Sequence, residues 1–153
     1  MKKSLSLLSA LAVCTSALNV PIFTTAAQSE DTVCPFTRID AEAMSDANGI
    51  SLNADGTAVT AISSGDWICF QNVDFGEGAT TFTAKVASAA NGGTIEIHLD
   101  SPIGPIVGVV TVPATGGVDQ WQEASVYISG AADVHDLYFR FSGSGDSMFE
   151  FDS

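Results

Sequence analysis

The stretch Thr80-Thr-Phe-Thr-Ala-Lys-Val-Ala87 alternates strictly, with Phe82, Ala84 and Val86 on one side and Thr81, Thr83 and Lys85 on the other. A few residues on, Thr94-Ile-Glu-Ile-His-Leu-Asp100 repeats the pattern, setting Ile95, Ile97 and Leu99 against Glu96 and His98. A period of two in side-chain polarity marks a strand with one face buried and the other wet. Residues 36–43, 67–73, 106–112, 121–128, 137–141 and 148–151 also read as strands. Gly76-Glu-Gly78, Asn91-Gly-Gly93, Gly116-Gly117, Ser129-Gly130 and Gly143-Ser-Gly145 separate them, and glycine turns the chain where other residues resist. No long segment carries a capped helical period. The spacing predicts an all-β chain folded as an antiparallel β-sandwich, with no internal repeat and no interdomain linker.

Composition agrees with one domain. The chain has 153 residues, 46% apolar and only 15% charged, enough to build a core and unlike a disordered segment. Five Lys and Arg against 18 Asp and Glu give a net charge of −13. Such a surface repels phosphate backbones and anionic lipid, so neither nucleic acid nor a membrane is an expected partner. Met1-Lys-Lys3, the apolar run from Leu5 to Val13 and the ending Thr25-Ala-Ala27 read as a secretory signal peptide over residues 1–27. A lipoprotein signal at Leu11-Ala12-Val13-Cys14 competes with it, with Val13 where a small residue is expected. The apolar run is shorter than the ~20 residues of a membrane span. Residues 28–35 read as a short leader and 36–153 as the folded module. Cleavage after Ala27 leaves Arg38, Lys85 and Arg140 against all 18 acids, in a chain expected outside the cell. There Cys34 and Cys69 could pair or stay as two buried thiols, and the sequence leaves both open.

Four stretches together resemble the family 6 carbohydrate-binding modules, β-sandwich (jelly-roll) modules carried on secreted polysaccharide-degrading enzymes. They are Ile39-Asp40-Ala41-Glu42; Gly65-Asp66-Trp67-Ile68 with Val73-Asp74-Phe75-Gly76; Gly92 through Pro102 with Gly104-Pro105 and Gly108; and Thr115-Gly116-Gly117 with Trp121, then Val134 through Tyr138. Their order and spacing run from Ile39 to Asp152. The resemblance implies a non-catalytic module that binds plant-type or algal polysaccharide, β-glucan or xylan, with a secreted glycoside hydrolase as a partner in trans.

The resemblance also implies two sugar sites and a structural Ca²⁺. In the family's loop site a sugar ring is gripped between two aromatics, whose positions fall here on Ala61 and Val118, with Asn53 and Glu150 (or Ser147) at the polar positions. With both aromatics absent, that site is expected to be degenerate. The second site lies on the concave sheet face, where Trp67 matches the stacking aromatic, Glu96 the hydroxyl acceptor, and His98 shares the outward face of Glu96. An apolar pyranose face packs flat on an indole while edge hydroxyls find polar partners. The competing reading places Trp67 in the core. For Ca²⁺ the implied ligands are Asp40, Glu42 and Asp152 with the Thr57 carbonyl, hard oxygens that suit the ion. The competing reading is an exposed acidic edge.

Enzymatic signals are thin. The chain has no Gly-x-Ser-x-Gly, His-Glu-x-x-His or Cys-x-x-Cys, and no carboxylate pair stands out as a glycosidase pair. Asn53-Ala-Asp55-Gly56 reads as a turn, and His135, in the run to Phe141, as a packed, hydrogen-bonded side chain. An interaction or scaffold sandwich that has lost sugar binding is the alternative function, and the missing aromatics are its support.

Overall fold

In the computed structural model, which describes residues 32–153, the alternating stretches become strands of two five-stranded antiparallel sheets. The signal peptide expected over 1–27 lies outside the described residues. Sheet A contains β1 (Asp46–Asn48), β4 (Trp67–Asp74), β9 (Val134–Ser142), β6 (Gly93–Leu99) and β7 (Ile106–Val112), neighbours in that order. Sheet B contains β2 (Ser51–Leu52), β3 (Val59–Thr60), β10 (Glu150–Phe151), β5 (Ala79–Ser88) and β8 (Gly117–Ala131). The expected all-β sandwich is the observed one. Among the described residues no helix is long and apolar enough to cross a membrane.

The inward half of each alternation makes the core. Ile68, Phe70, Ile95, Ile97, Phe139 and Phe141 from sheet A meet Val59, Ala84, Val86, Ile128 and Phe151 from sheet B, all buried. Aromatic rings tie the layers: Phe139 stands 5.0 Å from Phe82 and 5.6 Å, edge-on, from Phe151. Phe141 meets Phe149 at 5.7 Å and Phe151 at 6.2 Å. Such pairs add about 0.5–1.5 kcal/mol each beyond the area they bury. Two glycines make the close approaches possible. A Cβ on Gly108 in β7 would lie 2.6 Å from the Ile128 methyl of sheet B, and one on Gly92, at φ +70°, would strike the Val112 carbonyl.

The structure corrects the reading of residues 36–43. They form no strand; Ala41–Ala43 is a 3₁₀ turn entered through Asp40. The cause is tertiary: the Ala41 N–H donates to the Asp152 carbonyl at 2.6 Å, pinning this segment to the end of the chain before Ser45 N–H reaches the Cys69 carbonyl of β4. The last strand shrinks to Glu150–Phe151, whose neighbours are β3 and β5, and β8 runs well beyond 121–128. Cys34 and Cys69 are not joined to each other. Phe141→Ala is expected to cost about 3–5 kcal/mol, because its ring is fully enclosed between the sheets. Urea unfolding of both proteins checks it, and a loss below 1 kcal/mol would contradict this packing.

Candidate functional site

The outward half of the sheet A alternation forms a continuous polar and aromatic face. Register sets Trp67 opposite Arg140, and Arg140 opposite Glu96. Glu96 in turn faces Val109 on β7. The neighbouring row runs Cys69, Tyr138, His98, Ile106. Strands lie about 4.8 Å apart, so the backbones at Trp67 and Glu96 are about 10 Å apart with that of Arg140 between them. Trp67 packs against Tyr138 at 5.4 Å and 59°, keeping part of its surface in solvent. Arg140 Nη1 donates to Glu96 Oε2 at 3.0 Å, a charge-assisted bond that fixes both side chains on the face.

His98 belongs to the same face yet is only 4% exposed. The turn after β6 folds over it: Nδ1 donates to the Gly104 carbonyl at 2.8 Å, and Nε2 stands 3.5 Å from Glu96 Oε2. His98 is thereby fixed by the turn and lies beside Glu96. Cys69, fully buried, lies under the aromatic pair. Tyr138 stands opposite it in register, and the neighbouring thiol, reinforced by burial, pushes the phenol up to about 12. Burial likewise pushes the Cys69 thiol up. Tyr138 and Arg140 were not singled out from the sequence. Both alternate with buried Leu137, Phe139 and Phe141, so the period of two already placed them outward; the strand register makes them neighbours of Trp67.

Of the residues of the expected loop site, Ala61, Glu150 and Val118 lie towards one end of sheet B, while Asn53 lies at the other end of the β2–β3 hairpin, its N–H donating to the Ala58 carbonyl. Ala61 follows β3 directly, Glu150 sits opposite Ala87, and Val118 opens β8 beside Gly117, which faces Ser88. Asn53 is spent on its own turn: Oδ1 accepts from the Thr57 N–H at 2.8 Å and the Ala58 N–H at 3.3 Å, and Nδ2 donates to Thr57 Oγ1 at 3.2 Å. Glu150 Oε1 accepts from Thr60 Oγ1 at 3.4 Å. Neither Ala61 nor Val118 supplies a ring.

The acids expected around Ca²⁺ are arranged otherwise than the sequence reading placed them. Asp40 and Glu42 do not leave one face of a strand, because Ala41–Ala43 is a 3₁₀ turn. Arg38 lies between Asp40 and Asp152, 2.7 Å from each, and these contacts raise its guanidinium pKa further. Lys85 takes the second Asp152 oxygen. Thr57 sits one turn before β3, which pairs with the strand leading to Asp152. Among the described residues no three His, Cys, Asp or Glu converge as a preformed metal cluster. One observation fits a cation: Glu42 Oε2 is buried with no hydrogen-bond partner. His135, as expected, is hydrogen-bonded, with Nδ1 3.0 Å from Asp100.

With this geometry in place, comparison with known proteins identifies the family. The profile described as carbohydrate binding module (family 6) matches residues 40–153. The chain therefore belongs to family 6 of the carbohydrate-binding modules. It is 43% identical over 129 residues to an arabinoxylan arabinofuranohydrolase of Bacillus subtilis, a match covering 77% of this chain and 25% of that protein. The chain thus spans about a quarter of the curated relative it matches. A family 6 module from Clostridium cellulolyticum, solved in complex with xylose, superposes with a TM-score of 0.73 at 37% identity, over 78% of this chain and 95% of that one. A β-1,3-glucan binding module from Bacillus halodurans gives 0.74 at 35% identity, over 80% and 96%.

The Cys69–Tyr138 contact makes a titration testable. Near-ultraviolet titration is expected to show one tyrosine ionising near pH 12, and Cys69→Ala to bring that transition down. The phenol holds its proton longer in the folded chain than in the unfolded one, so its contribution to stability is complete below about pH 10 and fades as pH rises through about 12. An unchanged titration in Cys69→Ala would contradict the contact.

Proposed function

We propose that this chain is a secreted, non-catalytic module that binds neutral β-linked polysaccharide, xylan or β-glucan, weakly and through the outer face of sheet A. The observation that carries the reading is the row Trp67, Arg140, Glu96: an indole, a guanidinium and a carboxylate held in register on one open surface. A pyranose stacked on Trp67 would set its edge hydroxyls towards Arg140 and the free Glu96 Oε1. The relatives support the ligand class: one module is seen with xylose and another is described as β-1,3-glucan binding. Binding is expected to be weak because the face is open and offers one aromatic pair rather than a two-sided grip. The curated relative is an arabinoxylan arabinofuranohydrolase in which the matched stretch occupies a quarter of the chain, which supports a place for this module beside a glycan-acting enzyme; here that enzyme is taken to act in trans.

Calorimetric titration with xylohexaose and cellohexaose tests this reading. Stacking of a flat ring on an aromatic is worth roughly 1–3 kcal/mol in a related setting, so Trp67→Ala is expected to weaken binding about tenfold or more. Equal heats from both proteins would overturn the assignment. A second reading, a sandwich that serves only as an interaction domain, draws on the bare Ala61–Val118 end and is favoured if no glycan binds the unaltered protein.

The Ca²⁺ reading is proposed alongside. Glu42, Asp40 and Asp152, with the Thr57 carbonyl, would hold the ion, the buried Glu42 oxygen gaining its missing partner while Arg38 and Lys85 yield Asp152. A ligand bound only by the folded state raises its stability, so added Ca²⁺ is expected to raise the melting temperature and chelator to reverse it. A melt indifferent to both would assign the neutralising role to Arg38 and Lys85 alone.

A further inference from the structure

The outer face of sheet B carries two aromatic rings that play no part in the Trp67 face. Along β8, Ala124, Val126 and Ile128 pack inward, while Glu123, Ser125 and Tyr127 point to solvent. Strand β5 lays a matching row beside them: Thr81 opposite Tyr127, Thr83 opposite Ser125, and Lys85 opposite Glu123. Tyr127 is 87% exposed, the most exposed of the large hydrophobic and aromatic side chains. Thr83 Oγ1 and Ser125 Oγ share a hydrogen bond of 2.9 Å. At the far end Trp121 lies under Lys85, whose Nζ is 5.2 Å from the ring centroid. The six residue steps from Trp121 to Tyr127 span about 20 Å of strand, room for several sugar rings.

We propose that this strip is a second carbohydrate-binding surface, which takes a neutral, extended polysaccharide chain with one ring on Tyr127 and later rings running towards Trp121. The ligand class follows from the surface chemistry. Between the two aromatics stand hydroxyls, donors and acceptors both, which match a polyhydroxylated partner. The only cation there, Lys85, is already paired with Asp152 and faces Glu123, so no free positive charge invites an anionic glycan in a chain of net charge −13. A protein partner fits poorly, since interface cores favour apolar neighbours and those around Tyr127 are Thr81, Thr83 and Ser125. The strip lies on the opposite sheet from Trp67, so one glycan segment cannot lie on both. The module is then bivalent, and it gains avidity on long or bundled chains. The proposal shares its ligand class with the Trp67 reading but rests on different residues.

The test is calorimetric titration of the full chain with xylohexaose and cellohexaose, comparing the unaltered protein with Tyr127→Ala, Trp67→Ala and the double variant. Two sites per chain are expected for the unaltered protein and one for each single variant, with the double variant losing both. At the Tyr127 site the weakening should be about tenfold or more. Tyr127 is nearly free of contacts, so an unchanged melting temperature should confirm that the variant folds. If Trp67→Ala alone abolishes binding, the sheet B proposal is overturned and the Trp67 face stands. If Tyr127→Ala alone abolishes it, the proposal stands and the Trp67 reading falls. If Tyr127→Ala changes sedimentation but not sugar binding, the strip is a contact between copies of this chain and the proposal fails.

Discussion

The period of two along β4, β9 and β6 is the constraint on which the rest depends. The same strands that send Ile68, Phe139, Phe141 and Ile95 into the core send Trp67, Tyr138, Arg140 and Glu96 out. A slip of one residue would bury the guanidinium and expose a phenylalanine. The interlocked rings of Phe139, Phe141, Phe149 and Phe151 make that slip costly, so the core holds the register of the outer face. Stability and recognition are thereby two readings of one alternation.

Electrostatics narrows what that face can take. Among the described residues each of the three Lys and Arg side chains is paired with acid: Arg38 and Lys85 around Asp152, Arg140 on Glu96. The remaining acids leave the surface strongly negative, which favours solubility and disfavours anionic polysaccharide. Arg140 is therefore better placed as a donor to hydroxyls beside the indole than as a trap for carboxylates. At the end of sheet B marked by Ala61 and Val118, neither of those positions carries a ring to stack on a sugar.

Much of this was legible in the sequence. Strands 80–87, 94–100 and 106–112 announced themselves because their alternation is long, and long alternation survives tertiary context. The segment 36–43 did not, because its short apolar pattern gives way to the hydrogen bond from Ala41 to Asp152. Strands β1, β2 and β3 span two or three residues and carry no period at all. Placing Glu96 and His98 outward was within reach of the pattern; covering His98 with the Gly104 turn was not, since a turn's path over a sheet leaves no periodic trace. The contacts of Asp152 with Lys85 and Arg38 join residues 67 and 114 positions apart, and only the folded chain brings them together.

The most direct test of the central claim is a nitrogen–proton correlation spectrum of the labelled protein as xylohexaose is added. The account expects the Trp67 indole N–H and the backbone amides of Glu96, Tyr138 and Arg140 to move together along one binding curve, while those of Ala61, Val118 and Glu150 stay in place. Movement confined to Ala61, Val118 and Glu150, with the Trp67 indole still, would contradict it.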